Sequence, residues 1–294
     1  MKIRIGTRAS KLALAQTEEF IRALRRLYPD IDAEIIKIRT TGDKLLNANL
    51  AKIGGKGLFI KEIEEALLAD EIDAAVHSMK DMPAAMHENL DIVALLQRGD
   101  ARDAFVSGLY SSVEQMPAGA VVGTSSIRRQ VQILRLRPDL KIVPFRGNVP
   151  TRLRKVWDGQ VDGTILAVAG LRRLAMDEFI RLIFPTNVLL PAVGQGIIGI
   201  QCRSDNTQVI SIISPLDHKQ TRIALEAERS FLSRLDGDCT TPIAAFARLK
   251  GDKVRADFML ACGDKTYFTK RVGTMQNARE MGFDAADELA KLCE

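Results

Sequence analysis

The chain has 294 residues, of which 46% are hydrophobic and 27% charged, a composition typical of a globular protein with two or three domains. Its net charge is +5. No apolar run approaches the roughly 20 residues that a membrane-spanning helix needs. Residues 1–6 have the pattern of a first strand, and no signal-peptide core follows them. We therefore expect a cytoplasmic protein without membrane partners.

Strands and helices alternate through the first two-thirds of the chain. The pattern predicts strands at 3–6, 33–38, 72–76 and 91–97, and helices at 11–28 and 57–69. It then predicts strands at 104–106, 121–123, 141–145 and 162–168, and helices at 127–137, 151–157 and near 171–175. This alternation is typical of α/β domains with parallel or mixed sheets.

Two breaks in this pattern suggest domain boundaries. Residues 98–102 are polar and residues 190–196 are rich in Gly and Pro, and a further strand is predicted at 197–202. After Pro215 the pattern changes to a helix at 222–235, strands at 243–249, 253–261 and 266–272, and a last helix at 278–292. The final segment is therefore expected to be a small α+β domain.

The four cysteines, Cys202, Cys239, Cys262 and Cys293, lie far apart, and their spacing fits neither a zinc site nor a disulfide framework. With only three histidines in the chain, no metal site is expected. A free cysteine is usually a small buried apolar side chain. Any special role would therefore belong to one cysteine acting alone, as a nucleophile or as an attachment point.

Four loops that follow predicted strands carry cations or hydrogen-bond donors. They are residues 7–10, 77–81, 123–126 and 146–148. Ligands of α/β sheets bind beyond the carboxyl ends of strands. The four loops therefore predict one cleft between two similar domains.

The most basic part of the chain overlaps two of these loops. Residues 121–157 contain nine Lys or Arg and one acid, Asp139, so their net charge is +8 and the rest of the chain sums to −3. Isolated buried charges are costly, so we expect these side chains to face water or an anion. The Gly, Thr and Ser residues before the helix at 127–137 add backbone and hydroxyl donors for such an anion.

Two other classes of protein could explain this charge. A non-catalytic two-lobed protein that binds a small anion would explain the cleft and the basic loops, but would leave Cys239 without a role. Nucleic-acid binding would explain the basic segment. It is less favoured because only Phe145 and Trp157 offer aromatic surface there.

Asp81 is the best candidate for acid–base chemistry. It stands beside Lys80 after a predicted strand, without a second acid nearby. A lone carboxylate among cations can stabilise a developing positive charge or move a proton. A helix cap or an ion pair with Lys80 is the structural alternative.

Two loops add further candidates. The loop at 54–57 is not a nucleotide P-loop, because Leu58 stands where that motif has Ser or Thr. It predicts either a mobile lid that carries Lys52 and Lys56 or a plain flexible turn. Cys239 lies in a predicted turn, where covalent use is easier than in a core, although its neighbouring aspartates do not favour a reactive thiolate.

Seven blocks of the sequence together have the pattern of one family. They are TRASKLAL at 7–14, GGKGLF at 54–59, AVHSMKD at 75–81, GTSSIRR at 123–129, RGN at 146–148, LAVAGLRR at 166–173 and LPAVGQG at 190–196. In this order, over nearly the whole chain, they closely resemble the hydroxymethylbilane synthase (porphobilinogen deaminase) family.

The resemblance implies a fold and an activity. The fold is α/β, with two lobes of the type II periplasmic-binding-protein kind, each with a mixed sheet, and a small C-terminal α+β domain. The domains are 1–97 with 197–215, then 98–196, then 216–294. The activity is that of a transferase in tetrapyrrole (heme) biosynthesis, which joins four porphobilinogen molecules head to tail, releases ammonia, and then hydrolyses off linear hydroxymethylbilane. A dipyrromethane cofactor serves as primer; the expected protein is a monomer with no metal and no nucleic-acid partner.

The resemblance also implies residue roles, with Asp81 as the catalytic residue and Cys239 as the thioether anchor of the cofactor. The implied cofactor-binding residues are Lys80, Ser78, Thr124, Ser125, Ser126, Arg128, Arg129 and Arg146. The implied substrate-binding residues are Arg8, Ser10, Arg146, Arg152, Arg173, Lys52, Lys56 and Phe59. Arginines suit this ligand because each pyrrole carries an acetate and a propionate, which a guanidinium binds bidentately. The chain departs from the usual family pattern at Asp238, Thr240 and Pro150.

Overall fold

The computed structural model describes residues 2–44, 60–237 and 241–294, and the chain divides into two units. Unit one contains Met1–Arg98 and Ile197–Arg222, and unit two contains Gly99–Gly196 and Ile223–Glu294. The chain thus leaves the first unit after Arg98, returns to it at Ile197 and leaves it again after Arg222. Among the described residues, no helix has the length and apolar character needed to cross a membrane.

The regular elements follow one another closely in both units. The strands are β1 (Lys2–Arg8), β2 (Asp32–Ile38), β3 (Ala74–Ser78), β4 (Leu90–Leu95), β5 (Asp103–Val106), β6 (Val121–Gly123), β7 (Lys141–Val143), β8 (Gly163–Ala167), β9 (Leu182–Ile183), β10 (Ile198–Arg203), β11 (Ile243–Lys250), β12 (Lys253–Cys262) and β13 (Lys265–Thr274). The helices are α1 (Lys11–Leu27), α2 (Thr41–Lys44), α3 (Lys61–Leu68), α4 (Ile127–Leu136), α5 (Val149–Trp157), α6 (Val168–Arg173), α7 (Thr207–Ile213), α8 (Lys219–Arg234) and α9 (Ala278–Lys291).

Unit one is built on a sheet of strand order β2-β1-β3-β10-β4. Strand β1 pairs in parallel with β2 and β3, whereas β10 pairs antiparallel with β3 and β4. The strand predicted at 197–202 is therefore present as β10, inside the first sheet. Ile3 and Ile5 of β1 and Ile198 and Ile200 of β10 are fully buried in one core cluster.

Helix α1 covers that core and begins directly after β1. The Ser10 side chain caps it by accepting a hydrogen bond from the backbone N–H of Ala13 at 3.2 Å. Phe20 and Leu24 follow at helical spacing and are fully buried. The helix ends at Leu27 because the next residue, Tyr28, precedes Pro29, and a residue before proline avoids helical backbone angles.

Unit two contains a second mixed sheet, of order β7-β6-β8-β5-β9, and a three-stranded sheet, of order β11-β12-β13. In the mixed sheet β6 is parallel to β7 and β8, while β5 is antiparallel to β8 and β9. The three-stranded sheet is antiparallel, and α9 packs against it. Both mixed sheets thus have three parallel strands next to an antiparallel strand. The structure confirms the predicted α/β class with mixed sheets and a C-terminal α+β region.

The differences from the predicted elements have local causes. The strand predicted at 141–145 ends at Val143 because Pro144 has no N–H to continue the ladder. Helix α5 begins at Val149, two residues before its predicted start, because Asn148 caps it by accepting from the N–H of Thr151 at 2.9 Å. Pro150 lies in its first turn, where the N–H that proline lacks has no partner inside the helix. The departure at Pro150 therefore fits the fold.

Candidate functional site

Two of the predicted loops meet in a pocket of unit one, at the carboxyl ends of β1 and β3. Its predicted lining residues are Arg8, Ser10, Ser78 and Asp81. Apolar side chains complete the wall, namely Leu12, Ile60, Val76 and Met82. The pocket thus offers a cation, hydroxyl groups and a carboxylate next to an apolar surface.

Asp81 is held in place by the residues on both sides of it. Strand β3 ends at Ser78, and residues Met79–Asp81 form one 3₁₀ turn, closed by the N–H of Met82 donating to the Met79 carbonyl at 3.3 Å. Met79 and Met82 are 1% and 3% exposed, whereas Asp81 is exposed. The two buried methionines fix the turn, so the carboxylate between them projects outward.

Gly199 of β10 provides the space for this turn. It pairs with His77 of β3, and a Cβ atom at this position would overlap Sδ of Met79. Any larger residue would therefore push Met79 out of its place. The absence of a side chain at residue 199 supports the position of Asp81.

His77 is a further lining residue, and it was predicted only as part of a loop. It is 6% exposed and lines the same pocket as Asp81. Burial, opposed by a smaller effect of Gln201, lowers the pKa of His77 to about 4. The imidazole is therefore neutral near pH 7. The sequence carried no signal for this, because a histidine after a strand has the same pattern whether it is buried or exposed.

In unit two the central feature is a buried ion cluster of Arg128, Arg129 and Asp103. Nη2 of Arg128 lies 2.8 Å from Oδ2 of Asp103, and Nη2 of Arg129 lies 2.7 Å from Oδ1. The two arginines are 5% and 7% exposed. Against the prediction that the charges of residues 121–157 face water or an anion, these two are shielded from water and face an internal carboxylate, which offsets one of their two positive charges.

Asp103 is fully buried and remains ionised. Burial alone would raise the pKa of Asp103, but Arg128 and Arg129 bring it down to about 2. Gln195 adds a third contact, with Nε2 donating to Oδ1 of Asp103 at 3.0 Å. Neither Asp103 nor Gln195 was identified from the sequence. The available signal was an acid at the start of the apolar strand β5.

The loop between β6 and α4 is organised by its own hydroxyl groups. Thr124 Oγ1 accepts from the N–H of Ser126 at 3.2 Å, and Ser125 Oγ accepts from the N–H of Phe145 at 2.9 Å. Ser126 is the N-cap of α4, but its side chain makes no capping hydrogen bond. The Ser126 side chain therefore does not cap the first backbone N–H groups of α4.

The other predicted arginines of unit two are partly exposed. Arg152 Nε donates to the carbonyl of Gly147 at 2.7 Å, and Arg173 Nη2 donates to the carbonyl of Gly196 at 3.1 Å. Arg146 follows β7 and is also partly exposed, as is Lys80 in unit one. Unlike Arg128 and Arg129, which are almost wholly buried, each of these side chains is partly solvent-accessible.

Three of the four cysteines have a structural explanation. Cys202 is buried in β10, and burial raises the pKa of its thiol to about 12, so it is unreactive. Cys262 and Cys293 form a disulfide with 5.7 Å between their Cα atoms, which corrects the expectation that the spacing fits no disulfide. Other sequence-based candidates lie outside the described residues, namely Cys239, Lys52, Lys56 and Phe59 with the flanking Asp238 and Thr240.

The strand order and the polar side chains at strand ends define an α/β protein with a pocket at the carboxyl ends of its strands. Residues 3–211 match the family described as porphobilinogen deaminase, dipyromethane cofactor binding domain, and residues 223–291 match its C-terminal domain. The chain therefore belongs to the porphobilinogen deaminase family, and it is a transferase with a dipyrromethane cofactor, as predicted.

Individual relatives agree with this membership. The porphobilinogen deaminase of Wolbachia sp. subsp. Drosophila simulans is 47% identical, with all of both chains covered. That of Paracoccus denitrificans is 48% identical over 98% of this chain and 93% of the relative, and that of Syntrophus aciditrophicus is 45% identical over 98% and 94%. Among solved structures, the methionine-binding protein MetQ is similar with a TM-score of 0.47 and 13% identity, over 73% of this chain and 89% of that one.

Proposed function

We propose that the chain acts as a hydroxymethylbilane synthase in which Asp81 is the catalytic carboxylate. The reaction joins four porphobilinogen molecules head to tail with release of ammonia, and then hydrolyses off the linear product. The observation that carries this assignment is the exposed carboxylate of Asp81 in a pocket with Arg8, Ser10 and Ser78.

Asp81 would act on the charge that develops as ammonia leaves porphobilinogen. The departing nitrogen leaves the pyrrole electron-poor, and a nearby carboxylate stabilises a delocalised cation electrostatically. After the new carbon–carbon bond forms, the same carboxylate can accept the proton that the pyrrole carbon must lose. His77 is neutral near pH 7, so it adds no positive charge that would oppose the cation.

The basic side chains would bind the carboxylates of substrate and product. In unit one Arg8, Ser10, Ser78 and Lys80 supply donors next to Asp81. In unit two the proposed contacts are Thr124, Ser125, Ser126, Arg128, Arg129, Arg146, Arg152 and Arg173. Lys52, Lys56 and Phe59 remain predicted contacts. Guanidinium groups bind carboxylates in a fixed planar geometry, so a chain with an acetate and a propionate on each ring would be oriented as it grows.

The residues present fit a dipyrromethane, because the unit-one pocket combines carboxylate-binding donors with an apolar wall suited to a pyrrole ring. When bound, this group supplies the terminal pyrrole onto which porphobilinogen is added. Cys239 is the proposed thioether anchor. The remaining cysteines support this assignment, since Cys202 is buried and Cys262 is paired with Cys293.

Two measurements test the proposed function together. Purified protein incubated with porphobilinogen should consume it and yield a uroporphyrin-type pigment after oxidation in acid. Intact mass should show a dipyrrole adduct that Cys239→Ser abolishes and Cys293→Ser retains. Absence of turnover in the wild-type chain would contradict the function, and an adduct that survives Cys239→Ser would move the anchor elsewhere.

We also propose a cytoplasmic monomer that binds no nucleic acid, with domains at 1–97 and 197–215, 98–196, and 216–294. The burial of Arg128, Arg129 and Phe145 removes cations and one aromatic ring from the surface that a nucleic acid would need. A gel shift at low salt and size-exclusion chromatography with light scattering test these expectations. A salt-sensitive shift or a dimer mass would overturn them.

A further inference from the structure

The charges in the buried cluster of unit two do not cancel. Arg128 and Arg129 contribute two positive charges, and Asp103 contributes one negative charge, so the cluster carries a net charge of +1. Burial lowers the pKa of Arg128, and Asp103 opposes this effect. The lowered pKa indicates that burial disfavours the charged form of Arg128. One arginine paired with Asp103 would satisfy the carboxylate, so the second arginine needs another explanation.

Backbone carbonyl groups fix both guanidinium groups in place. Nη1 of Arg128 donates to the carbonyl of Leu190 at 2.6 Å, and Nη1 of Arg129 donates to the carbonyl of Ile165 at 2.9 Å. Asp103 joins the two groups, because its Oδ1 accepts from Nε and Nη2 of Arg129 and its Oδ2 faces Arg128. Asp103 and the two carbonyl groups thereby hold two like charges side by side, although the charges repel each other.

Gln195 completes the arrangement without changing its charge. Its Nε2 donates to Oδ1 of Asp103 at 3.0 Å and to the carbonyl of Ala101 at 2.6 Å. Because this amide is neutral, it adds a hydrogen bond to Asp103 without offsetting the surplus positive charge. The cluster is therefore positively charged, and its two arginines lie in the first turn of α4, which begins directly after the Thr124–Ser126 loop.

We propose that Asp103 is a positioning residue for carboxylate binding: it holds Arg128 and Arg129 together with one surplus positive charge, which an acetate or propionate of the bound pyrroles neutralises. This inference rests on the proposed function, because that function supplies the carboxylate ligand. Asp103 itself need not touch the ligand. Its role is to set the charge and the direction of the two arginines.

Charge-restoring variants test this role. Asp103→Asn raises the cluster from +1 to +2, Arg129→Gln lowers it to 0, and the double variant returns it to +1. The expected result for Asp103→Asn is a KM for porphobilinogen raised by about tenfold or more, with a smaller change in kcat, because the arginines lose their alignment. The double variant should have a lower KM than either single variant.

The double variant separates charge setting from packing. If Asp103 served packing alone, restoring the net charge would not improve binding, and the KM of the double variant would be no lower than that of either single variant. That result would overturn the proposal. If Asp103→Asn does not fold, the comparison of the double variant with Arg129→Gln still decides, since a double variant no better than Arg129→Gln contradicts the proposal.

Asp100→Asn is the matched control. Asp100 also bridges two arginines, with Arg102 Nη2 at 2.7 Å and Arg172 Nη1 at 3.0 Å, but these arginines are 42% and 47% exposed. Its KM should stay near that of the wild type. An inactive wild-type chain would refute the proposed function. An active wild type in which Asp103→Asn behaves like Asp100→Asn would refute only the role of Asp103.

Discussion

The two mixed sheets share a strand layout, yet their charged strand-end residues are treated in opposite ways. In unit one Asp81 lies on a turn between two buried methionines and faces outward. In unit two Arg128 and Arg129 lie in the first turn of α4 and face inward, onto Asp103. Neighbouring residues therefore decide whether a charged side chain is exposed: buried apolar residues on both sides leave Asp81 in solvent, whereas a buried counter-ion keeps Arg128 and Arg129 in the interior.

Of these variants, Asp81→Asn should reduce activity most. It tests whether the exposed carboxylate of Asp81 takes part in the reaction. Turnover of porphobilinogen should fall by about 10²–10⁴-fold, because the amide can neither stabilise a cation nor accept a proton. Folding should be unchanged, since the Asp81 side chain is exposed. Steady-state kinetics and circular dichroism measure the two properties. Asp91→Asn, an exposed acid of the same unit, is the control, and equal activity of both variants would remove Asp81 from the mechanism.

The buried ion cluster of unit two should instead contribute to the free energy of unfolding. Asp103→Asn leaves two buried guanidinium groups without a counter-ion, which costs about 3–5 kcal/mol of unfolding free energy. Trp157, the chain's only tryptophan, lies in unit two, so its fluorescence during urea unfolding reports the loss. Asp100→Asn should cost about 1 kcal/mol or less, because its arginines are largely solvent-exposed. Similar losses in the two variants would contradict the buried-cluster argument.

Acid should weaken the same cluster. The pKa of Asp103 is about 2 in the folded chain, below the ordinary value of 3.8, so the unfolded chain binds its proton first as pH falls. The stabilisation is complete above pH 4 and is lost as pH falls toward 2. Urea midpoints from pH 5 to pH 2.5, read from Trp157, should therefore fall more steeply in the wild type than in Asp103→Asn. Parallel profiles would contradict this assignment.

Unit one should lose stability at milder acidity, through His77. Its pKa is lowered from 6.5 to about 4 in the folded chain, so only the unfolded chain takes up a proton between these values. Stability should fall as pH drops from about 6.5 to about 4, by up to about 3 kcal/mol. Amide hydrogen exchange in β1 and α1 at pH 7 and pH 5 measures the change. His77→Gln, which does not titrate, should reduce the difference, and an unchanged difference would exclude His77 as its source.

The order of the elements and the strand-end loops around the unit-one pocket could be predicted from the sequence, whereas the return of the chain to the first sheet through β10 was implied by the family resemblance. Apolar periodicity and loops at strand ends are local signals, and Arg8, Ser10, Ser78 and Asp81 lie within a few residues of predicted strand ends. The burial of Arg128 and Arg129 could not be predicted in this way. It depends on Asp103, which is 25 and 26 residues earlier in the chain, and on Gln195, which is far later. Contacts of this range leave no periodic pattern.

The smallest expected effect distinguishes the starts of the two helices that follow β1 and β6. Ser10 caps α1 through Ala13, whereas Ser126 begins α4 without a capping bond. Ser10→Ala should therefore lower the unfolding free energy of unit one by about 1 kcal/mol, while Ser126→Ala should change that of unit two by a few tenths at most. Hydrogen exchange in α1 and urea unfolding followed by Trp157 fluorescence measure the two losses. An equal loss in both variants would mean that Ser126 also caps its helix in solution, and the first N–H groups of α4 would then be less available to a carboxylate than the structure indicates.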